Sequence, residues 1–468
     1  MTTAQPMTPE ERFREHVLAA AASGVPLGAY ADADSVHYLF LREASGPLVL
    51  SHRLAATRAA CAVSGTWPAF SWDEREMAQE RGVYFDGLPD ARPLWAQGGI
   101  LPDAVVAHGE GLMQFVVGPV HAGIIEPGRF TFSSGGAAVV HLDAQLGYAH
   151  RGVERALEGR PALSSAPQVA RICGSCSAAR SLAYARALEM LSGVEVSASV
   201  DLARLVVAEL ERVYNHLGDF AATASGAGWA TGFAHGMALK EEAMRLNWIA
   251  GGHRLLFDAI LPGGVSVSTL AERRAVRASL ALLEARTERY LRELFGNASL
   301  VSRWHGAGIV THDTSRMFGA VGPAYRASHG TVDVRTFAPY GAYRAMPPRV
   351  AHASSGDVFA RCQVKRAELM ESFRLTREAL AILGDATLPA VQPLSPAAGS
   401  VATVVEGPRG AEVVALRIDC DGTVERLHVI SASYRNWPLV ARAMEGNIVP
   451  DFPLVNKSFN LCYACADR

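Results

Sequence analysis

Two Cys-x-x-Cys pairs, far apart in the sequence, place the strongest constraint on how this chain folds. They are Cys173 with Cys176, and Cys462 with Cys465. The first pair precedes a run from 178 to 191 that predicts a helix ending at Gly193. The partial positive charge at a helix N-terminus favours thiolates, which bind metals or react as nucleophiles. The second pair lies so near residue 468 that it is either exposed or drawn into the core by something it binds.

Spacing alone leaves three interpretations of these cysteines open. The two pairs are unrelated, they form a structural zinc site, or together they hold a soft transition metal. Four thiolates suit Zn²⁺, but zinc-knuckle pairs usually lie within a short stretch of sequence. Here 286 positions separate Cys176 from Cys462. The spacing therefore favours a four-thiolate site for a soft transition metal, without identifying the metal.

The composition excludes several classes of protein. The 468 residues are 49% hydrophobic and 19% charged, with a net charge of -2, which is typical of a globular chain with more than one domain. This balance offers no basic surface for nucleic acid. No apolar stretch reaches the roughly 20 residues that span a bilayer, and residues 1–12 lack the order of a signal peptide. Seven cysteines, an odd number, argue against a disulfide framework.

Local patterns predict a small N-terminal region. Thr8 and Glu11 form a capping box before an Ala-rich helix that stops near Gly24. Residues 30–66 are short β-like runs broken by Gly and Ser. Clustered Pro and Gly residues then predict a domain boundary around residue 105.

Longer helices are predicted beyond that boundary. Apolar residues recur at helical spacing over 199–220, 236–256, 269–295 and 358–383. Thr269 and Glu272 predict a capping box for the third of these helices, and Gly296 predicts its end. Alternating, Val-rich residues over 400–431 predict two or three antiparallel strands.

The cysteine motifs resemble those of a known family. Arg171-Ile-Cys-Gly-Ser-Cys176 and the segment from Ser458 to Arg468 are similar to the metal-binding motifs of the nickel–iron hydrogenase large subunit. The similarity is greatest to the membrane-associated, energy-converting class that includes the formate hydrogenlyase large subunit. The 49-kDa-type subunit of NADH–quinone oxidoreductase shares most of the further landmarks. They lie at 117–128, 149–154, 209–219, 252–254, 262–264, 326–328, 333–335 and 356–358.

The resemblance also implies an architecture. Residues 72–92 resemble the 30-kDa-type subunit of NADH–quinone oxidoreductase, which is fused to the large subunit in formate hydrogenlyases. We therefore expect a 30-kDa-subunit-like domain at 1–105 and a large-subunit-like domain at 106–468. The fold class implied is α+β: a small N-terminal α/β domain, then a large, mainly helical domain with a small antiparallel C-terminal sheet.

A nickel–iron centre is the cofactor that the resemblance implies. Its iron would also carry CO and cyanide, and the centre would split hydrogen heterolytically. The first cysteine of each pair, Cys173 and Cys462, would bind nickel terminally. The second cysteine of each pair, Cys176 and Cys465, would bridge nickel and iron.

Other matched positions carry weaker implications. Glu154 matches the proton-relay glutamate of the family, and a solvated helix carboxylate is the alternative. His121 matches a loop histidine beside the quinone pocket of the respiratory relative, and an ordinary loop histidine is the alternative. Structural polar contacts alone are expected of His150, Asp219, His253 and Asp333.

Three positions depart from the hydrogenase pattern. Arg180 stands where the family usually has a histidine, and Ile430 stands where it has an arginine near the cyanide ligands. Asn460-Leu461 resembles the quinone-type relative, which lacks the cysteines. Loss of a buried guanidinium would weaken preorganisation around the metals, so binding of the cluster is more strongly predicted than high activity.

Three functions follow as hypotheses: a cytoplasmic, membrane-docked hydrogenase, a complex I-type quinone oxidoreductase subunit, and a metal-free scaffold. The partners implied are an iron–sulfur small subunit, membrane-arm subunits, and a formate dehydrogenase or ferredoxin-type donor. Attachment to the inner face of the cytoplasmic membrane would come from these partners. The sequence has no P-loop, and Gly226-Ala-Gly228 lacks the third glycine of a dinucleotide site, so no NAD site is expected.

Overall fold

The computed structural model describes residues 7–121 and 125–468. Residues 1–6, part of the polar start that argues against a signal peptide, lie outside the described residues. So do residues 122–124, which belong to the landmark at 117–128. Within the described ranges, no helix has the length and apolar character that crossing a bilayer requires.

The first 86 residues contain short helices and strands. Their elements are α1 (Pro9–Ser23), β1 (Val25–Ala31), β2 (Ser35–Arg42), β3 (Gly46–Arg53), β4 (Ala59–Cys61), α2 (Ser71–Arg81) and β5 (Tyr84–Asp86). Strands β1, β2 and β3 form an antiparallel sheet, and β4 pairs with β5 in parallel. Tyr38 and Phe40 join a core that also contains residues of α1 and α2. Leu39 and Leu41, on the other face of the sheet, join the main core instead.

The predicted start of this region is confirmed. The Thr8 hydroxyl accepts the Glu11 N–H at 3.2 Å, and the Glu11 carboxylate accepts the Thr8 N–H at 2.8 Å. Helix α1 ends before Gly24, and strands occupy most of 30–66. The boundary predicted near residue 105 falls in the irregular stretch that follows β5, and the division into two domains stays a prediction.

The remainder of the chain is mainly helical. Its first elements are β6 (Leu112–Val117), β7 (Arg129–Gly135), β8 (Ala138–Gln145), α3 (Val153–Leu157), α4 (Ala166–Ala170), α5 (Ser177–Ser192), α6 (Ala198–Gly226), α7 (Ala230–Gly251), β9 (Ile260–Leu261), β10 (Gly264–Val265), α8 (Arg273–Gly296), α9 (Ala298–Trp304), α10 (His312–Met317), α11 (Gly322–Arg326), α12 (Val334–Phe337) and α13 (Val358–Leu383). The last elements are β11 (Gly399–Gly407), β12 (Gly410–Ile418), β13 (Val424–Ile430), α14 (Ala432–Met444), α15 (Phe452–Phe459) and α16 (Tyr463–Asp467). Helix α6 is central, because it packs against α7, α13 and α15.

The C-terminal sheet is antiparallel in the order β11, β12, β13. Gly407 pairs with Gly410, so a two-residue turn of Pro408 and Arg409 joins the first two strands. Helix α5 packs against β11 and β12. The α+β fold class, with its mainly helical body and small C-terminal sheet, is therefore confirmed.

The capping box predicted at Thr269 and Glu272 is wrong. Helix α8 begins at Arg273, and Glu272 precedes it without a side-chain cap. The Thr269 hydroxyl instead donates to the carbonyl of Ala259 at 3.0 Å, because a tertiary contact competes with local capping. Gly296 is the last helical residue rather than the residue after the helix.

A network of buried ion pairs ties the helices to the C-terminal sheet. Arg326, at the end of α11, donates to Glu368 of α13 at 2.7 Å and to Glu406 of β11 at 2.9 Å. It also lies 3.3 Å from Asp333, which caps α12. The network continues through further buried polar and ionisable side chains: Glu209, Arg212, His216, Asp219, Arg335 and Lys365.

We predict that replacing Arg326 with methionine lowers the free energy of unfolding by about 3–5 kcal/mol, because three buried carboxylates lose a partner. The matched control is Arg274→Met, whose side chain is 89% exposed and lies 3.5 Å from Asp385. That change should cost less than about 1 kcal/mol. Urea unfolding followed by circular dichroism measures both values. Equal shifts in the two variants would contradict the structural role of the network.

Candidate metal centre

The first cysteine pair lies at the N-terminus of α5. Cys176 directly precedes the helix, and Cys173 lies in the turn before it. The buried carboxylate of Glu211, on α6, accepts the N–H groups of Ala178 at 2.7 Å and Ala179 at 3.0 Å. Burial raises the pKa of Glu211 to about 8. This contact, which sequence reasoning missed, anchors the first turn of α5 and with it Cys176.

The second cysteine pair is drawn into the core. Helix α15 ends at Phe459 and is followed by Asn460, whose backbone is left-handed with φ +50°; Cys462 directly precedes α16. The Ser433 hydroxyl accepts the N–H of Cys462 at 3.0 Å. The Ser431 hydroxyl donates to the carbonyl of Cys465 at 3.0 Å. Ser431, which caps α14, and the first turn of α14 therefore fix the backbone that carries the second pair.

The four sulfur atoms converge on one place. The Sγ atoms of Cys173 and Cys462 lie 3.2 Å apart, and those of Cys176 and Cys465 lie 3.8 Å apart. The sulfurs of Cys173, Cys176 and Cys465 all lie within 4.8 Å of one another. All four residues are free cysteines, and only Cys462 is partly exposed. A metal with sulfur ligands at about 2.3 Å in tetrahedral geometry would separate them by about 3.8 Å, so the spacing suits an all-sulfur site.

The thiols of this cluster influence one another's ionisation. Hydrogen bonds from Cys176, Cys462 and Cys465 hold the pKa of Cys173 well below its usual range. The same contacts, together with burial, raise the pKa values of Cys176 and Cys462. The arrangement thus stabilises the thiolate of Cys173, and a bound cation would favour ionisation of Cys176 and Cys462.

Two buried guanidinium groups flank the sulfurs. The Nη2 atom of Arg180, on α5, lies 3.4 Å from Cys465 Sγ and donates to Glu412 at 3.0 Å. Its Nε and Nη1 atoms are buried, and no described residue forms a hydrogen bond with them. Arg409, in the turn between β11 and β12, lies 3.9 Å from Cys176 Sγ. Positive charge therefore lies beside two of the four sulfurs, those of Cys465 and Cys176.

The predicted effect of Ile430 on the preorganisation of this site stays a prediction. Ile430 does lack the charge, but its side chain packs against Gly28 of β1, where an added Cβ would meet it at 2.6 Å. Arg180 and Arg409 provide guanidinium groups from other elements. Asn460 also has a role, because its carbonyl accepts a hydrogen bond from Arg409. The sequence offered no signal for Arg409, since only the hairpin places it beside the sulfurs.

Glu154 is buried at the start of α3, so the alternative of a solvated helix carboxylate is wrong. Its carboxylate accepts the N–H of Val429 at 2.8 Å and an N–H of Arg468 at 3.0 Å, and it lies 3.0 Å from Nδ1 of His428. Burial alone would raise the pKa of Glu154, but Arg468 and His428 hold it below its usual range. Its role as a proton relay stays a prediction.

His121 lies on the surface, in the stretch between β6 and β7. Its Nε2 atom is 3.3 Å from the hydroxyl of Tyr463, which lies between the two cysteines of the second pair. Its Nδ1 atom is 3.3 Å from the carbonyl of Pro119. The structure thus brings His121 next to the segment that carries the second cysteine pair.

The four residues expected to make structural polar contacts are placed as follows. Asp219 lies 2.6 Å from Lys365. His253 accepts the N–H of Leu255 at 3.0 Å. Asp333 caps α12 and pairs with Arg335 at 2.7 Å, and His150 contacts the carbonyl of Asp467 and the carboxylate of Glu80.

Arg468 anchors the segment that carries the second cysteine pair. Its buried guanidinium donates to Glu154, to Glu76 of α2 and to the carbonyl of Val429. Asp467 accepts the N–H groups of Gly147 and Ala149 at 2.8 and 3.0 Å. Residues of α2, α3 and β13 therefore hold Cys465 in the cluster.

We predict that Arg468→Met exposes the second cysteine pair. The change leaves two buried carboxylates without their guanidinium partner, so the segment should open more often. Alkylation of Cys462 and Cys465 in the metal-free chain should accelerate at least about tenfold, the factor given by about 1.4 kcal/mol. The control, Arg442→Met, removes a half-exposed pair with Glu445. Equal alkylation rates in both variants, measured by mass spectrometry, would exclude this anchoring role.

Comparison with known proteins identifies the family. The family described as the respiratory-chain NADH dehydrogenase 49 Kd subunit matches residues 226–393 and 388–468. Hydrogenase-4 component G of Escherichia coli is 28% identical over 437 residues, covering 86% of this chain and 74% of that protein. The carbon monoxide-induced hydrogenase of Rhodospirillum rubrum is 30% identical over 356 residues, covering 75% of this chain and 98% of that protein.

A solved structure has the same fold. A chain of the membrane-bound sulfane sulfur reductase, an archaeal respiratory membrane complex, superposes with a TM-score of 0.71 at 24% identity. The match covers 77% of this chain and 99% of that chain. The chain belongs to the 49-kDa subunit family of respiratory NADH dehydrogenase, together with energy-converting hydrogenase large subunits, and it is an oxidoreductase subunit.

Proposed function

We propose that this chain is the catalytic large subunit of a membrane-associated, formate hydrogenlyase-like nickel–iron hydrogenase. It interconverts protons and hydrogen at a metal centre held by its four clustered cysteines. The observation that carries the proposal is the convergence of two cysteine pairs, 286 positions apart, in one largely buried cluster. A quinone site requires no thiols, and burying four unreacted thiols beside two guanidinium groups has no evident structural benefit.

The donor set fits a nickel–iron centre. Thiolates are the ligands that soft transition metals prefer, and the sulfur separations suit a single small cluster. Cys173 and Cys462 would bind nickel terminally, and Cys176 and Cys465 would bridge the two metals. When bound, the centre would supply the heterolytic cleavage and formation of hydrogen.

The buried arginines suit the charge of such a centre. Arg180 and Arg409 offset the negative charge of the thiolates, which is costly to bury unpaired. The Nε and Nη1 groups of Arg180 have no partner among the residues that the structure describes, so they could donate to anionic ligands such as cyanide. Glu154, buried and hydrogen-bonded, would hold or release the proton.

Partners would connect the centre to its electron source. We propose that electrons pass through an iron–sulfur small subunit and that membrane-arm subunits hold the chain at the inner face of the cytoplasmic membrane. A formate dehydrogenase or a ferredoxin-type protein would act as donor. The names of two similar proteins support a multisubunit assembly. One is named as a component of hydrogenase-4, and the other is a chain of the membrane-bound sulfane sulfur reductase, a respiratory membrane complex.

A quinone-type subunit is the second candidate. The contact between His121 and Tyr463 supports it, because an imidazole and a phenol hydroxyl 3.3 Å apart could both donate to one carbonyl oxygen of a quinone. The third candidate is a metal-free scaffold, in which the four cysteines would serve only as packed core residues.

We predict stoichiometric nickel and iron in the chain co-produced with its maturation proteins, together with infrared bands of iron-bound CO and cyanide. Plasma mass spectrometry measures the metal content, and infrared spectroscopy detects the CO and cyanide bands. Cys465→Ser should abolish both metals and bands, because it removes a ligand. The matched control is Cys420→Ser, which changes an exposed cysteine outside the cluster and should leave them intact. Zinc, or no metal, in matured protein would contradict the hydrogenase proposal.

A further inference from the structure

A buried group of titratable side chains joins α2, in the N-terminal region, to the elements around the second cysteine pair. Its members are Glu76 and Glu80 of α2, His150 and Glu154 at the start of α3, and His428 of β13. Glu154 is the one member that the family motif singles out. The other four have no assigned role in the proposed reaction.

The inner part of the group is a carboxylate–imidazole–carboxylate contact. Nδ1 of His428 lies 3.0 Å from Glu154 Oε2 and 3.7 Å from Glu76 Oε1. The same ring nitrogen therefore faces both carboxylates. All three side chains are at least nine-tenths buried.

The outer part of the group reaches the surface. Glu80 lies one turn after Glu76 on the same face of α2, as residues four apart on a helix do. Its Oε1 atom is 3.4 Å from Nε2 of His150, and the two side chains are 18% and 24% exposed. Burial would lower the pKa of His150, but its contact with Glu80 raises it. This pair can exchange a proton with solvent.

Two buried atoms of the inner part have unused hydrogen-bonding capacity. Within residues 7–121 and 125–468, Glu76 Oε1 and His428 Nε2 have no hydrogen-bond partner. Burial raises the pKa of Glu76, whereas the pKa of Glu154 is held low. Of the two carboxyls, Glu76 therefore binds a proton more readily.

The arginine beside these residues does not carry protons itself. Glu76 faces Arg468, His428, Glu80 and Glu154, and it accepts a hydrogen bond from Tyr434 at 2.8 Å. Arginine keeps its proton in proteins. The guanidinium of Arg468 contacts both Glu76 and Glu154. Its positive charge offsets these carboxylates, so the group does not require a metal ion for that purpose.

We propose that Glu76, Glu80, His150 and His428 carry protons between Glu154 and solvent, so that the N-terminal region supplies part of the proton path. The inference rests on the proposed hydrogenase function. A proton leaving Glu154 Oε2 is taken up at His428 Nδ1, passes to Glu76 Oε1, and then moves through Glu80 to His150 and solvent. Each carrier returns to its starting charge after the proton has passed, and hydrogen oxidation and evolution use the path in opposite directions.

The test uses the metal-loaded complex as wild type and as Glu76→Gln and Glu80→Gln. Glutamine keeps the shape of glutamate but carries no exchangeable acid proton. Both variants should retain conversion of para-hydrogen to ortho-hydrogen, which needs no exchange with solvent. Exchange between D2 and water should fall by about 100-fold, the lower end of what a positioned acid–base group contributes. Glu76→Asp, which keeps a carboxyl, should recover part of that exchange.

The matched control is Glu158→Gln. Glu158 lies beside the group but is bonded to Arg81 and to Arg426, neither of which passes protons. This variant should keep both reactions at wild-type rates. Wild-type D2–water exchange in Glu76→Gln and Glu80→Gln would overturn the proposed path.

A second measurement does not depend on metals. Infrared spectra of the full chain should contain the C=O band of a buried carboxylic acid that shifts in D2O and is lost in Glu76→Gln. In Glu80→Gln the shift should develop more slowly. A wild-type spectrum without a Glu76-dependent band at any pH at which the chain stays folded would overturn the path. Absence of nickel and iron from the wild type would contradict the hydrogenase proposal and not the proton path. The Glu76-dependent infrared band would still test the proton path in that case.

Discussion

The burial of four thiols in one place is the constraint on which the rest of this structure depends. Thiolates lose hydration when they are buried, so the protein must supply positive charge and hydrogen bonds nearby. Arg180 and Arg409 bring that charge to within 3.4 and 3.9 Å of two of the sulfurs. Arg180 pairs with Glu412, and Arg409 donates to Asn215. Arg409 also lies 3.9 Å from Asp219, which connects the cluster to the ion-pair network of the helical body.

The N-terminal region is bound closely to this site. Gly28 of β1 makes room for Ile430, Asp73 of α2 pairs with Arg435 at 2.6 Å, and Glu76 pairs with Arg468. These contacts lie on the segments that hold the second cysteine pair. The region therefore does more than extend the chain: it stabilises the position of Cys465 and, in our proposal, connects Glu154 to solvent.

Much of the fold follows from local patterns, but the surroundings of the site do not. The helix at 358–383 and the strands at 400–431 were predictable because apolar spacing and turn residues agree over long stretches. The start of α8 was mispredicted because Thr269 bonds to a distant carbonyl. The positions of Arg409, Glu211 and Arg468 depend on a hairpin turn and on packing between distant elements. Such contacts leave no signature in spacing, and Arg180 was visible only as a departure from a motif.

The most direct test of this account is nickel K-edge X-ray absorption on the matured complex. The account predicts a nickel whose protein ligands are all sulfur, with an iron neighbour, and loss of that signal in Cys173→Ser. Nickel surrounded by nitrogen and oxygen, or a signal unchanged by Cys173→Ser, would show that the four cysteines do not hold the metal.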